Sequence, residues 1–98
     1  MRAGSPREVS ALFKVWAAAE PQTLPRLLNY FAQRDLLASR VEASVSDGET
    51  HVVIEVEGLP APAAEMIAEK MRQSVLVARV EIDLGASAHL LRNRTHAA

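Results

Sequence analysis

The sequence contains no cysteine among its 98 residues. Disulfides, thiol nucleophiles, iron–sulfur clusters and cysteine-based zinc sites are therefore excluded. Its four glycines form no glycine-rich phosphate loop. No apolar run approaches the roughly 18–20 residues that a membrane span needs, and residues 1–8 lead into no signal-peptide core. We therefore expect a small cytoplasmic protein without a membrane partner.

The chain also lacks a surplus of charge of either sign. Eleven Lys and Arg residues against twelve Asp and Glu residues give a net charge of −1. General nucleic-acid binding requires an excess of Lys and Arg, so no nucleic-acid partner is expected. The histidines are too scattered to form a zinc site, and no serine has a neighbouring His–acid pattern. These residues predict a non-catalytic chain with no metal and no cofactor of its own.

The length allows one domain. Residues 1–8 show no periodicity and are predicted to form a flexible tail. Residues 85–98 carry Arg92, Arg94 and His96 without an acidic residue, and are predicted to form a flexible basic tail. The folded domain is expected to cover residues 9–84.

Hydrophobic periodicity in the first half of the domain predicts a strand followed by a helix. Phe13, Val15 and Ala17 share one face of a strand over residues 9–19. The helix has Thr23 as its expected N-cap. Its apolar stripe has the spacing i, i+3, i+4, i+7 and consists of Leu24, Leu27, Leu28 and Phe31.

The second half begins with a predicted hairpin. Val41, Ala43 and Val45 alternate with polar residues, which indicates a half-buried strand. Asp47-Gly48 is a strong turn signal and precedes a second alternating strand.

The remaining elements are a second helix and a last strand. Pro62 can open the helix, whose predicted inner face comprises Ala63, Met66, Ile67 and Met71. The last strand, residues 77–84, should direct Ala78, Val80, Ile82 and Leu84 inward. The order βαββαβ predicts an α+β, ferredoxin-like fold: an antiparallel sheet with strand order 4-1-3-2 and both helices on one face.

The sheet face without helices is predicted to be solvated and slightly acidic. It collects Lys14, Arg40 and Arg79 with Glu42, Glu55, Glu57, Glu81 and Asp83. Cross-strand ion pairs are expected there. RNA-binding domains of this topology stack bases on several aromatic residues, whereas here the central strands offer only Trp16, which is expected to serve packing.

Residues 20–43 resemble the opening of an ACT domain, a regulatory module built on this topology. The matching positions on the first helix are Leu24, Arg26, Leu27, Leu28, Phe31 and Arg34. Within the family the pattern is most similar to the small regulatory subunit of acetolactate synthase, isozyme II type, because Pro21, Thr23, Leu24 and Arg26 match its first helix. Asp35 stands where the usual helix-ending glycine would be.

This resemblance implies a non-catalytic regulatory subunit that binds and activates a large catalytic subunit in branched-chain amino-acid biosynthesis. Thiamine diphosphate, FAD and magnesium would belong to that partner. The alternative is a free-standing module that senses a small ligand such as a branched-chain amino acid. The candidate effector-binding residues are Glu20, Gln22, Thr23 and Leu24.

One departure from the family pattern affects the effector site. Effector-binding ACT domains carry glycine in the first loop, which lets the backbone approach the ligand. Gln22 occupies that place here. We favour a closed pocket and a module that binds only protein. The other interpretation is that Gln22 and Thr23 bind a carboxylate at the start of the helix.

The second strand is predicted to be an edge that pairs with a second copy of the chain. Residues 38–46 contain no proline or lysine that would block pairing. A two-fold axis at Val41 would set Arg40 opposite Glu42 of the other chain. The predicted dimer interface is Ala38, Arg40, Val41, Glu42 and Ser44, and the alternative is an edge covered by a tail.

Overall fold

The protein was analysed as a computed structural model that describes residues 8–85, with side chains from Ser10 onward. Six elements follow in the order β1 (Glu8–Ala18), α1 (Thr23–Ala32), β2 (Ala38–Ser46), β3 (Glu49–Pro60), α2 (Ala61–Arg72) and β4 (Val77–Leu84). The tails predicted at residues 1–8 and 85–98 lie outside the described residues, except for Glu8 and Gly85.

The sheet confirms the predicted fold. Its four strands are arranged in the order β2-β3-β1-β4, and every neighbouring pair is antiparallel. This is the predicted order 4-1-3-2 read from the opposite edge. The arrangement places β1 and β3 in the centre and leaves β2 and β4 at the two edges.

The core lies between the helices and one face of the sheet. Phe13, Val15 and Ala17 of β1 are buried there, as the alternation predicted. Phe31 of α1 meets Phe13 edge to face, with ring centroids 5.0 Å apart and an angle of 75° between the rings. Such aromatic pairs add about 0.5–1.5 kcal/mol beyond their burial. The first helix is therefore anchored on the central strand.

The Asp47-Gly48 turn joins β2 and β3 as predicted. Asp47 has φ of 53° and Gly48 has φ of 77°. Positive φ at both central positions is the requirement of a type I′ turn, whose twist matches that of the flanking strands. This short connection fixes the register of the hairpin.

The inner face of α2 differs from the prediction. Its buried residues are Ala64, Ile67, Ala68 and Met71, whereas Met66 is 48% exposed. The periodicity fits both sets of residues, and the prediction gave weight to the large side chain of Met66. The small residues Ala64 and Ala68 face the sheet because they let α2 approach it closely.

The inward face of β4 differs from the prediction at the beginning of the strand. Trp16 pairs with Arg79, but Ala17 pairs with Val77, so Ala78 is an extra residue in the ladder. This bulge reverses the alternation. As a result Val77 packs against the core and Ala78 is exposed, contrary to the prediction for Ala78.

Candidate functional site

The loop between β1 and α1 holds the candidate effector residues. The Gln22 amide donates a hydrogen bond to the Glu20 carboxylate, with 2.9 Å between Nε2 and Oε1, and both side chains are exposed. Leu24 is half-buried and packs against the core. Gln22 has φ of −86°, so its backbone does not need the conformational freedom of glycine. The loop thus brings these residues together at the start of α1.

Thr23 has a different role from the one predicted. It is the first residue of α1, and the position before the helix belongs to Gln22, whose side chain makes no capping bond. The buried Thr23 hydroxyl donates to the Ala18 carbonyl oxygen at 2.7 Å. The prediction of Thr23 as the N-cap was therefore wrong. Thr23 lies within the helix, and its hydroxyl links the helix to the end of β1. Effector binding by Glu20, Gln22, Thr23 and Leu24 stays a prediction.

The edge strand β2 is the most exposed apolar element of the described residues. Val41 is 39% exposed and Val45 is 68% exposed. Both lie on the same sheet face as the core, because Val41 pairs with the buried Ile54. The prediction of a half-buried strand was wrong for the single chain: residues 39–46 are all exposed.

The physical reason is the position of the helices. α2 packs across β4, β1 and β3, and the inner residues of α1 meet the same core. Both helices leave residues 39–46 of β2 exposed, and β2 hydrogen-bonds to β3 alone within the described sheet. The opposite edge differs, because α2 covers β4 and leaves its Val80 only 5% exposed.

A bulge divides β2 into two parts. Ala38 pairs with Val56 and Arg40 pairs with Glu55, so Ser39 is an extra residue. The Ser39 hydroxyl donates to the Glu55 carbonyl oxygen at 3.2 Å. Beyond this bulge, pairing is regular from Arg40 to Ser46. The seven-residue segment 40–46 is thus the part of the edge that could continue a regular ladder.

The predicted interface residues take their places along this edge. Ala38 is half-buried, and Arg40, Val41, Glu42 and Ser44 are exposed. Arg40 donates to Glu42 of its own strand, with 2.9 Å between Nε and Oε2. This hydrogen bond, and next the carboxylate charge, raise the pKa of the Arg40 guanidinium. In the single chain the two charges neutralise each other.

Trp16 is enclosed by two neighbours on the helix-free face of the sheet. The His51 ring stacks on it with centroids 4.7 Å apart, and the Arg79 guanidinium carbon lies 4.6 Å from its ring centroid. β3 and β4 flank β1 on opposite sides, so the two contacts reach the indole from the two neighbouring strands. The Trp16 ring thus already has two partners within the chain, which supports its predicted packing role.

The ion pairs on the helix-free face only partly match the prediction. Lys14 Nζ reaches Asp83 of the neighbouring strand at 3.3 Å. Arg40 and Arg79 instead pair with Glu42 and Glu81 of their own strands. Residues i and i+2 share a strand face, so a long guanidinium reaches a carboxylate two positions away without crossing to another strand.

The sequence analysis did not identify a polar groove between the two helices. We call it the helix groove; its lining residues are Arg26, Tyr30, Gln33, Arg34, Lys70, Gln73, Ser74 and Val75. Part of the signal was present in the sequence, because Arg26 and Tyr30 are four residues apart and share one face of α1. Arg34 follows four residues later, in the turn just after the helix. The contribution of α2 depends on tertiary packing and could not be seen in the sequence.

The order of elements, the sheet topology and the exposed edge strand can now be set beside known proteins. The family model described as "ACT-like domain" matches residues 4–89. The chain belongs to the ACT-like domain family. A comparison with curated proteins finds no match. The family assignment agrees with the resemblance seen in the first helix, although nothing in the comparisons points to the acetolactate synthase small subunit.

Solved structures of low sequence identity share the fold of this ACT-like domain. The crystal structure of the ACT domain from GTP pyrophosphokinase of Chlorobium tepidum has a TM-score of 0.67 and 12% identity, covering 78% of this chain and 99% of that one. The C-terminal domain of the MgtC protein from Mycobacterium tuberculosis has a TM-score of 0.65 and 10% identity, covering 85% and 94%. Within residues 8–85, no helix is long and apolar enough to cross a membrane.

Proposed function

We propose that this ACT-like domain is a non-catalytic regulatory module that acts by associating with protein through β2. The observation that carries the proposal is the uncovered helix-side face of this strand, where Val41 and Val45 remain 39% and 68% exposed. An edge strand without covering helix, proline or lysine is a template for another strand. A second copy of the chain fits this edge best, because an antiparallel two-fold contact needs only one self-complementary segment.

The bulge at Ser39 bears on the register of this dimer. Pairing about Val41, the register predicted from sequence, would set the bulged Ser39 opposite Ala43 of the other copy. Pairing about Ala43 instead keeps the regular segment 40–46 intact. It also places Val41 opposite Val45 of the other copy on the helix side. We therefore favour the Ala43-centred register, in which both exposed valines become buried.

Single-cysteine cross-linking tests both the dimer and its register. The chain has no cysteine of its own, so each variant carries one reactive thiol. A disulfide requires Cα atoms about 4.4–6.8 Å apart, and directly opposed antiparallel residues meet this limit. We expect Ala43→Cys to give a covalent dimer on mild oxidation and Val41→Cys to give none. The Val41-centred register predicts the reverse.

Val75→Cys is the control for random collision, because Val75 is 99% exposed and belongs to the connection between α2 and β4, outside β2. Equal cross-linking of all three variants, or of none, would contradict pairing through β2. If another segment of the chain covers the edge, the chain would stay monomeric at every concentration and none of the three variants would cross-link.

The more specific proposal concerns the catalytic partner. The resemblance of α1 to the acetolactate synthase small subunit supports a large subunit that holds thiamine diphosphate, FAD and magnesium. The test is to add the purified chain to such an acetolactate-forming subunit from the same organism and to measure its rate. We expect activation and a stable complex. No change in rate and no complex would refute this partnership while leaving the dimer proposal intact.

Sensing of a free amino acid by Glu20, Gln22, Thr23 and Leu24 is the alternative. A thermal-shift screen with the branched-chain amino acids separates it from association alone, because a ligand at 100 times its Kd adds about 2.7 kcal/mol to stability. A clear rise in Tm would support the sensor. An unchanged Tm would leave protein association as the function.

A further inference from the structure

The helix groove is a concavity of about 640 Å³ on the outer side of the helical layer. This volume lies within the range of about 300–1,000 Å³ that is usual for small-molecule sites. α1 contributes Arg26 and Tyr30, the turn that follows it contributes Arg34, and α2 contributes Lys70. The groove therefore combines three cations with an aromatic ring, and its lining contains no carboxylate.

The three groove cations differ from the other Lys and Arg side chains of residues 8–85. Each of the others pairs with a carboxylate, in the pairs Lys14–Asp83, Arg40–Glu42, Arg72–Glu69 and Arg79–Glu81. Within the described residues, Arg26 and Lys70 make no ion pair, and Arg34 donates only to the Met66 sulfur at 3.3 Å. Within residues 8–85, the positive charge that lacks a counter-charge is thus concentrated in the helix groove, in a chain whose net charge is −1.

Neutral hydrogen-bond donors surround these charges. Gln33 and Gln73 bring side-chain amides to the lining. The Ser74 hydroxyl oxygen accepts from the Leu76 amide at 3.2 Å, which leaves its own proton free to donate. The C-terminal end of α2 carries about half a negative charge from the helix dipole, which disfavours a bound anion. Three full positive charges outweigh it.

We propose that the helix groove binds a small phosphorylated metabolite that carries at least two negative charges. Arg26, Arg34 and Lys70 would hold the phosphate groups, because charge-assisted hydrogen bonds to phosphate are the strongest that these side chains form. The ring of Tyr30 offers a surface for the remainder of the ligand. This site is separate from β2 and from the β1–α1 loop, so it goes beyond the proposed function.

The test is calorimetric titration of the full chain with pyrophosphate, ADP and adenosine. We expect pyrophosphate and ADP to bind, with an affinity that falls as salt is added, and adenosine not to bind. Tighter binding of ADP than of pyrophosphate would show that the nucleoside part also contacts the groove. Equal affinities would assign all of the binding to the phosphates.

Charge-removing variants locate the site. Arg26→Gln and Lys70→Gln are expected to weaken ADP binding about tenfold each, the usual effect of losing one charged hydrogen bond. Arg79→Gln removes the same charge outside the helix groove and should leave the affinity unchanged. Because Arg26 and Lys70 are exposed, both variants should fold, and their mass in solution should match that of the parent chain.

Several results would overturn the proposal. These are no binding of either phosphorylated probe, equal weakening by Arg79→Gln, or adenosine binding as tightly as ADP. A single-stranded RNA that binds through Arg26 and Lys70 while ADP and pyrophosphate do not would also overturn it. None of these results depends on whether β2 pairs with a second copy.

Discussion

Replacing Val45 by serine tests whether the exposed face of β2 is buried in a dimer. Complete burial of a valine side chain contributes about 1.5–3 kcal/mol. Val45 is 68% exposed in the single chain, so its burial in an interface would contribute about two thirds of that value, or about 1–2 kcal/mol per protomer. A symmetric dimer contains two copies, which gives about 2–4 kcal/mol as an upper estimate.

We therefore expect Val45→Ser to weaken the dimer by about 30- to 1,000-fold. Sedimentation of the chain over a range of concentrations measures the dissociation constant directly. The free energy of unfolding of the monomer should change by less than about 0.5 kcal/mol, because exposed substitutions have small effects. Loss of the dimer without loss of monomer stability is thus the expected signature.

The matched control is Val75→Ser, which makes the same chemical change at a residue that is 99% exposed and outside β2. It should leave the dissociation constant unchanged. An equal effect of both variants, or no effect of Val45→Ser on a chain that does dimerise, would refute burial of this face in the interface.

Other predictions concern the framework that positions these surfaces. Phe31→Ala should lower the free energy of unfolding by about 3–5 kcal/mol, because it removes the edge-to-face contact with Phe13; chemical denaturation measures this, and a loss below about 1 kcal/mol would contradict it. Gly48→Ala should lower the free energy of unfolding by about 1–2 kcal/mol, because φ is 77° at this position. An added Cβ would meet no atom within 4 Å, so backbone strain alone accounts for the expected loss. A neutral effect on Tm would show that the turn relaxes. Arg79→Ala should cost about 0.5–1 kcal/mol and change the fluorescence of Trp16, and an unchanged emission spectrum would show that the two groups are not in contact in solution.

The comparison between sequence and structure is clearest in the two edge strands. Alternation in β2 correctly predicted which residues share a face, but not that this face is exposed. Alternation in β4 predicted Ala78 as an inward residue, and the bulge placed Val77 there instead. In β2 the local pattern was sound, and the error came from the helices, which leave the strand exposed. In β4 the bulge at Ala78 broke the alternation itself.

The candidate sites show the same division. The sequence brought Glu20, Gln22, Thr23 and Leu24 together because they are neighbours in the chain. It could not show that the Thr23 hydroxyl is committed to the end of β1. It also could not show the helix groove, because Lys70 joins Arg26 and Arg34 in one lining only after both helices pack on the sheet.

The sequence by itself determined the elements and the topology of this ACT-like domain. Hydrophobic period and the Asp47-Gly48 turn are local properties, and with the right-handed connections they leave few arrangements of the six elements, of which the predicted one is found. Only the tertiary structure decided the bulge at Ser39, the exposure of β2, the enclosure of Trp16 and the unpaired charge in the helix groove. These features depend on contacts between residues that are distant in the chain. The packing of helices and strands sets the geometry of those contacts, and no local sequence pattern encodes that packing.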